Sequence, residues 1–222
     1  MLKSTELQYL LPTKEYRCLS LLHAIHNEPK SSQKMIGKKT NLSCAMVNNY
    51  IKFFESAGLI TVSGRTNRTK SYHLTEKGQR NLAQSILSYS AEIVKLYASV
   101  KCEIKRILNG FYDEDIRTVV LFGAANTAEV VYAAIRETSL VVIGIVDSDT
   151  SKQGNLFNGM IIQKPEKILT IKPDVVLITS FARQEEIYDQ IYDVVGDTLV
   201  IKRLSDVSIV NPKAAPLILG TV

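Results

Sequence analysis

Residues 46–60, MVNNYIKFFESAGLI, and residues 72–78, YHLTEKG, decide the fold of the first half of this chain. In the first stretch the apolar side chains recur at i, i+3, i+4 and i+7, the spacing of one helix face, and they are Val47, Tyr50, Ile51 and Phe54. Ser43 is placed to cap the start of this helix, and Gly58 to end it. The stretch therefore predicts an amphipathic helix between Ser43 and Gly58.

A β-hairpin is predicted directly after this helix. Residues 59–62 are mainly β-branched, and residues 72–74 form a second short run of strand-forming residues. The polar interval between them carries three cations, Arg65, Arg68 and Lys70, and no acidic residue. The hairpin would therefore present a positively charged tip.

Two further helices are predicted before residue 46. The first covers Thr13–His26 with Thr13 as its N-cap, and the second begins at Ser31 or Ser32 and runs to Lys38. A turn of residues 39–41 then leads to the third helix. The order of three helices and a basic hairpin predicts a winged helix-turn-helix domain.

This part of the sequence resembles the MarR-type winged-helix regulators. Residues 46–60 look like their recognition helix and residues 72–78 like the exit from their wing; the resemblance covers roughly residues 13–80. The pentad Leu74–Gly78 is a fairly specific signal in this setting. The resemblance implies binding to double-stranded DNA, although a helix-turn-helix can also serve as a protein–protein module, and that alternative stays open.

The outward face of the third helix carries the candidate base-reading side chains. Asn can bond adenine at two positions and Met can contact a thymine methyl group, whereas Lys and Arg bond phosphates and give affinity without much sequence information. The predicted DNA-binding residues are Ser43, Met46, Asn48, Asn49, Lys52, Arg65, Arg68 and Lys70, with Lys38 and Lys39 as further phosphate contacts.

Charge is distributed unevenly along the chain. The chain has a net charge of +5, which is the sum of about +10 in residues 1–112 and about −5 in residues 113–222. An acidic domain lying on phosphates would cost binding energy, so only the first half is expected to face a polyanion. The alternative is that the two halves differ in charge by chance.

A long helix is predicted from Glu76 to Asn109. The segment has no proline, and at about 34 residues it would be roughly 50 Å long. Its apolar residues follow a near-heptad spacing, and they are Leu82, Ile86, Tyr89, Ile93, Leu96, Val100, Ile104 and Ile107. Such a narrow stripe suits pairing with a second copy, and a two-fold dimer fits palindromic DNA half-sites. Packing of the stripe on the domains of the same chain is the alternative.

A nucleotide-binding pattern opens the second half. RTVVLF, residues 117–122, reads as a buried strand and leads through GAANTA, residues 123–128, into a helix. A second strand, Leu140–Val146, ends at Asp147. In a strand-turn-helix-strand unit of this kind, phosphates lie over the turn and the helix N-terminus, and a ribose hydroxyl bonds the acid.

The turn departs from the GxGxxG fingerprint, because Ala125 and Ala128 replace its second and third glycines. A methyl group at Ala125 lies where the backbone must approach a pyrophosphate. Two alternatives stay open: the loop still binds a ligand, or the fold is retained without one. The predicted cofactor-binding residues are Gly123, Ala124, Ala125, Asn126, Thr127, Asp147, Thr179 and Ser180.

Strands and helices alternate to about residue 201, which predicts a Rossmann-like parallel sheet of about five strands with helices on both faces. Residues 144–162, GIVDSDTSKQGNLFNGMII, resemble two groups: the Rex redox-sensing repressors and the nucleotide-sugar-binding domains of some sugar acetyltransferases. The first implies NAD(H) and the second a nucleotide sugar. The Rex pattern has a glycine fingerprint that this chain lacks, and its winged helix does not end in a segment like LTEKG.

Catalysis is not expected. The second half contains no histidine, and no Ser-His-Asp order or Cys-His spacing occurs. The cysteines are odd in number and far apart, which makes a zinc site or a disulfide framework improbable; they are Cys18, Cys44 and Cys102. We therefore expect no metal and an unknown cofactor, a nucleotide sugar or NAD(H) being the candidates.

No stretch approaches the ~20 apolar residues of a membrane span, and the first residues lack the apolar core of a secretory signal. The expectation is a cytoplasmic protein.

The whole sequence predicts two domains joined by a long linker helix. Residues 1–75 form a mainly-α winged helix-turn-helix, residues 76–112 the linker and dimerisation helix, and residues 113–222 an α/β Rossmann-like sensing domain. The predicted function is a homodimeric DNA-binding transcriptional regulator that senses a nucleotide-containing metabolite. The alternatives are a Rex-like NADH/NAD sensor and a nucleotide-sugar-modifying enzyme fragment fused to a winged helix. The tail, residues 203–222, would cover a sheet edge or exchange between protomers.

Overall fold

The computed structural model describes residues 12–64, 66 and 69–205, and it divides the chain into two compact units, Met1–Lys95 and Leu96–Val222. The domain boundaries at residues 75 and 112 stay predictions, since the division between the compact units falls inside the long helix. Most of the predicted tail, residues 206–222, lies outside the described residues.

The first unit contains three helices and a two-stranded antiparallel hairpin, followed by the beginning of the long helix. The elements are α1 (Lys14–Asn27), α2 (Gln33–Thr40), α3 (Cys44–Ser56), β1 (Ile60–Ser63), β2 (Ser71–Leu74) and α4 (Glu76–Asp113). This order confirms the predicted winged helix-turn-helix.

Side-chain caps fix the starts of the three short helices. The hydroxyl oxygens of Thr13, Ser32 and Ser43 each accept a hydrogen bond from a backbone N–H in the first turn, as the sequence predicted for α1 and α3 and as one of two choices for α2. The end of α2 was predicted too early. The helix runs to Thr40 and stops where Asn41 adopts a left-handed conformation, so most of the predicted turn is helical.

The apolar stripe of α3 faces the core of the first unit. Val47, Ile51 and Phe54 are buried, and Tyr50 is half-buried against the same core. These side chains pack with residues of α1, α2, β1 and β2, among them Leu21, Leu22, Ile25, Ile36, Ile60 and Tyr72. The predicted orientation of the helix is therefore confirmed.

The pentad Leu74–Gly78 holds the exit of the wing against the end of α3. The Thr75 hydroxyl donates to Gly58 O at 2.7 Å and accepts from Gly78 N at 3.0 Å, which caps the start of α4. Lys77 Nζ donates to Ala57 O at 2.8 Å. A Cβ atom at Gly78 would lie 1.9 Å from Leu59 O, so only glycine fits there.

The second unit is a mostly parallel α/β sheet flanked by helices. After the end of α4, its elements are β3 (Thr118–Phe122), α5 (Asn126–Ile135), β4 (Val141–Val146), β5 (Leu156–Phe157), β6 (Met160–Gln163), α6 (Ile168–Ile171), β7 (Val175–Ile178), α7 (Gln184–Val195) and β8 (Val200–Arg203). Helix α4 has 38 residues and continues past the predicted end, because Phe111 still packs in the core of this unit.

The sheet has the strand order β5-β6-β4-β3-β7-β8. Five strands are parallel, as predicted, and β5 is a two-residue antiparallel addition to β6 that the sequence analysis missed. One face packs on α5 and the last turns of α4, and the other packs on α6 and α7. The chain order reverses between β3 and β7, and ligands of open α/β sheets bind outside the strand ends at such a switch point.

Among the described helices, none combines the length and apolar character that a bilayer span requires.

Candidate functional site

The outward face of α3 is open for recognition. Asn49 and Lys52 are exposed, and Met46 is half-buried near the helix start. Ser43 is exposed, and its Oγ accepts from Met46 N at 3.2 Å, so this side chain already serves as the N-cap. The face presents an amide and a cation, which can bond a base edge and a phosphate.

The structure separates the two adjacent asparagines of the predicted site. Asn48 is half-buried, and its Oδ1 accepts from Gln33 Nε2 at 3.4 Å. The same Gln33 amide donates to the Tyr72 hydroxyl at 3.3 Å, which links α2, α3 and the wing. Asn48 therefore takes part in a contact between elements, whereas Asn49 points to solvent.

Two of the three cations of α2 lie exposed in its last turn. Lys38 is exposed, and Lys39 forms an ion pair with Glu28. The hydrogen bond from Lys39, together with one from Ser31, lowers the pKa of the Glu28 carboxyl. Lys39 would have to leave Glu28 to bond a phosphate, so Lys38 is the more available of the two.

The wing is described only in part. The hydroxyls of Ser63 and Ser71 lie 2.7 Å apart where its strands end, and Lys70 is half-buried beside them. Arg65 and Arg68, the other two predicted phosphate contacts, lie outside the described residues.

The apolar stripe of α4 is exposed only in its middle. Leu82 is buried in the first unit, and Ile104 is buried in the second. Between them, Ile86, Ile93 and Val100 are 41–46% exposed. The surface predicted for pairing over residues 76–109 is therefore reduced to part of residues 86–100, because its two ends are used within the chain and Tyr89 is half-buried with its ring 5.4 Å from that of Tyr16.

The loop between β3 and α5 lies at the carboxyl edge of the sheet, next to the loop that follows β7. Gly123 has φ +101°, and a Cβ there would meet Thr179 Oγ1 at 2.9 Å. Thr179 is buried, and its hydroxyl lies within 2.9 Å of Phe122 O and 2.8 Å of Gly123 O. Thr179, a predicted ligand-binding residue, thus connects the loop after β7 to the loop after β3 by hydrogen bonds.

Three backbone N–H groups at the start of α5 face no protein acceptor within the described part of the chain, and they belong to Ala125, Asn126 and Thr127. No side chain caps this helix. Uncapped N–H groups at a helix start favour anions.

Asp147 is buried and already bonded on both oxygens. Its Oδ2 accepts from Ala124 N at 2.7 Å and from Lys152 Nζ at 2.9 Å, and its Oδ1 accepts from Asp149 N at 2.8 Å. Burial raises the pKa of this carboxyl, but the hydrogen bonds outweigh it, and the pKa lies below its ordinary value. Oδ2 therefore has both acceptor positions filled, whereas Oδ1 has one partner and could still accept a hydrogen bond from a ribose hydroxyl.

Several side chains at this edge were not predicted from the sequence. Lys152 pairs with Asp147, and Gln153 Nε2 donates to Asp147 O at 2.8 Å. Ser180 is half-buried, and the exposed Phe181 and Arg183 follow it in the loop before α7. Phe181 and Arg183 could have been identified from the sequence, because they follow directly after a predicted strand.

No group of three or more His, Cys, Asp or Glu side chains among the described residues is arranged to hold a metal ion.

Two family models match the chain, one in each unit. Residues 18–90 match the winged helix-turn-helix model, and residues 115–199 match the model described as C2185-like, N-terminal. No curated protein matches the chain.

Similar solved structures cover less than half of the chain. A protein of unknown function from Listeria innocua is 24% identical over 44% of this chain and 66% of its own, with a TM-score of 0.33. Staphylococcus aureus MarR, in complex with salicylate and kanamycin, is 20% identical over 38% of this chain and 57% of its own, with a TM-score of 0.34. MepR, a regulator of the S. aureus multidrug efflux pump MepA, is 18% identical over 49% and 87%, with a TM-score of 0.33. This chain thus spans just under two thirds of the first protein and under three fifths of the second.

Proposed function

We propose that the chain is a DNA-binding transcriptional regulator. The observation that carries the proposal is the winged-helix arrangement of the first unit, in which α3 turns its apolar stripe inward and leaves Asn49 and Lys52 exposed. A helix presented in this way fits the major groove. The net charge of about +10 in residues 1–112 favours a polyanion as the partner of this half of the chain.

Asn49 is the proposed base reader, and Lys52 and Lys38 are proposed phosphate contacts. Asn48 is assigned instead to the contact with Gln33, and Met46 to an apolar contact with a thymine methyl group. Arg65, Arg68 and Lys70 of the wing complete the proposed phosphate contacts. Ser43 would approach the backbone of the DNA, because it lies at the start of the helix that enters the groove.

The proposed regulator is a homodimer paired through residues 86–100 of α4. With Ile86, Ile93 and Val100 at the a positions of a heptad, Tyr89 and Leu96 fall at the d positions; Leu96 is exposed, whereas Tyr89 is half-buried against the first unit. β-Branched residues at a with leucine at d favour two-stranded parallel pairing. The 41–46% exposure of the a-position side chains supports the proposal, since part of their apolar surface stays open within the described residues.

The second unit is proposed to be a Rossmann-like sensing domain for a small anionic, nucleotide-type ligand. Its support is the switch point between β3 and β7, with the three open N–H groups at the start of α5. The candidate ligands are a nucleotide sugar and NAD(H), since each carries phosphates for the open N–H groups of α5 and a ribose hydroxyl for Asp147. No catalytic role is assigned to the domain.

Two measurements test the DNA-binding and the sensing proposals. The first selects a duplex from a random DNA library, and the second measures the affinity of the chain for that duplex with and without ligands. We expect the full chain to select a palindromic duplex, and a panel of NADH, NAD and UDP-sugars to change its affinity. Failure of the whole panel would remove the sensing proposal but not the DNA-binding one. Failure to enrich any duplex would contradict the proposal that the chain is a DNA-binding regulator.

A further inference from the structure

The side-chain amide of Gln33 lies between α3 and the wing, the two elements proposed to contact DNA. Gln33 is the first residue of α2 and follows the N-cap Ser32. Its Nε2 donates to Asn48 Oδ1 of α3 at 3.4 Å and to the Tyr72 hydroxyl of β2 at 3.3 Å. An amide nitrogen carries two hydrogens, so one group can serve both acceptors at once. Gln33 therefore joins α3 to the wing.

Each of the two acceptors is close in sequence to a proposed DNA contact. Asn48 precedes the proposed base reader Asn49, and consecutive residues of a helix point roughly 100° apart. With Asn48 half-buried beside Gln33, Asn49 is directed to solvent. Tyr72 lies two residues after Lys70, a proposed phosphate contact of the wing. The position of one amide thus bears on both the base reader and a wing cation.

The Tyr72 hydroxyl depends on this amide. Tyr72 is only 2% exposed, and its ring packs in the core of the first unit. Within the part of the chain that the structure describes, Gln33 is the only group that bonds this hydroxyl. A buried hydroxyl without a partner costs free energy, so Tyr72 is held where the amide can reach it. The Tyr72 N–H also donates, to Pro29 O at 2.8 Å, but that bond joins β2 to the turn before α2 and not to α3.

Packing holds α3 more firmly than it holds the wing. Val47, Ile51 and Phe54 of α3 are all buried. The wing consists of two strands of four residues each, and a two-stranded hairpin is marginally stable by itself. Loss of the Gln33 amide should therefore change the placement of the wing and leave base reading by α3 intact.

We propose that Gln33 is a positioning residue for DNA binding, which places the wing relative to α3 so that wing cations reach phosphates while α3 occupies the major groove. The inference rests on the proposed DNA-binding function. It predicts that the number of phosphates bonded, and not the base preference, depends on Gln33. The salt dependence of binding measures that number, since each phosphate contributes about 0.9 to the slope of log affinity against log salt.

Fluorescence anisotropy of the full chain with its selected duplex, between ~50 and 200 mM salt, tests this. Gln33→Met keeps the side-chain length and removes both hydrogen bonds, and the milder Tyr72→Phe removes only the wing-side acceptor. We expect each to weaken binding roughly two- to tenfold, the equivalent of one net hydrogen bond, and to lower the slope by about 0.9 for each wing phosphate lost. The double variant should resemble Gln33→Met, because both changes break the same bond.

The matched control is Gln79→Met, at an exposed glutamine of α4, which should bind as the wild type does. A merely structural role of Gln33 gives a different result. Loss of stability lowers the folded fraction, which far-UV circular dichroism measures, and leaves the salt slope of the folded chains unchanged. Tyr72→Phe carries the test if Gln33→Met does not fold.

The outcomes separate this inference from the proposed function. A wild-type slope in both variants would overturn the positioning role and leave the proposed function standing. Additive losses in the double variant would also overturn it, because Gln33 and Tyr72 would then act separately. A wild-type chain that binds no duplex would overturn the proposed function and this inference with it.

Discussion

Asp147 shows how a single carboxylate can stabilise the loop that a ligand would use. Its bonds to Ala124 N and to Lys152 Nζ hold the β3–α5 loop against the end of β4. Because these bonds favour the charged carboxylate, the pKa is lower in the folded state than in the unfolded chain. Their contribution to stability is therefore present above the unfolded pKa and is lost as pH falls through the folded pKa.

Asp147→Asn should destabilise the second unit at pH 7 by about 1.5–3 kcal/mol, the usual value of a hydrogen bond to a charged group. The difference from wild type should shrink as pH falls from the unfolded aspartate pKa, near 4, through the lower folded pKa, because the wild-type carboxyl then loses its charge. Denaturant unfolding at several pH values measures this, with Asp193→Asn, at an exposed acid of α7, as the control. An undiminished difference at the lowest pH would contradict the role of the charge.

Asn49→Ala should relax the base preference at one position of each half-site, because only this asparagine of the pair is exposed on α3. Its loss should cost about 1–3 kcal/mol of discrimination there. Asn48→Ala is the matched control, since it should lower the stability of the first unit and leave base preference unchanged. Affinities for a set of single-base operator variants distinguish the two, and an equal effect of both substitutions would refute the assignment.

Residues with local roles were predictable from sequence. Thr13 and Ser43 cap their helices as expected, because a cap needs only its own first turn. Asn48 was not distinguishable from Asn49, since its partner Gln33 is 15 positions away. The hydrogen bonds of Asp147 could not be predicted either, because they depend on where the segment between β4 and β5 places Lys152.

At the scale of elements, the close approach of Gly78 to Leu59 explains why the LTEKG segment ends in glycine. The first turn of α4 passes so close to β1 that a side chain at this position would collide with the carbonyl of Leu59. The backbone there cannot yield easily, because Thr75 and Lys77 bond the same region of the α3–β1 turn. The turn residues therefore set where the long helix begins.

Gly78→Ala should destabilise the first unit by roughly 1–3 kcal/mol or more through overpacking. Gly110→Ala on the same helix is the control, because a Cβ at Gly110 would have no neighbour within 4 Å. That substitution should stabilise α4 by about 0.5–1 kcal/mol, since alanine loses less entropy than glycine in a helix. Thermal unfolding of both variants measures this, and equal shifts would exclude the close approach as the cause.

Periodicity predicted most of the elements but not all of their ends. The α3 stripe and the parallel strands carry strong local patterns, and both are confirmed. Strand β5 has only two residues and forms by pairing with β6, so no period could reveal it. The predicted pairing stripe of α4 was too long, because periodicity cannot show that Leu82 and Ile104 are used inside the chain.

At the scale of the whole molecule, the two halves differ in both charge and architecture. The first half is basic and carries the winged helix, and the second half is acidic and carries the parallel sheet. We propose that a ligand at the sheet edge biases the paired α4 helices and so changes operator affinity. Coupling of this kind is typically about 1–3 kcal/mol, or several-fold to a hundred-fold in affinity.

The most direct test measures the affinity of the full chain for a duplex oligonucleotide by fluorescence anisotropy between ~50 and 200 mM salt. We predict tight binding at low salt that weakens steeply, and a slope that falls by about 0.9 for each phosphate that Arg65→Ala with Arg68→Ala leaves unbound. Arg136→Ala, an exposed cation of the second unit, is the control and should leave the slope unchanged. Indifference of the wild-type chain to duplex DNA even at the lowest salt would contradict the proposed function.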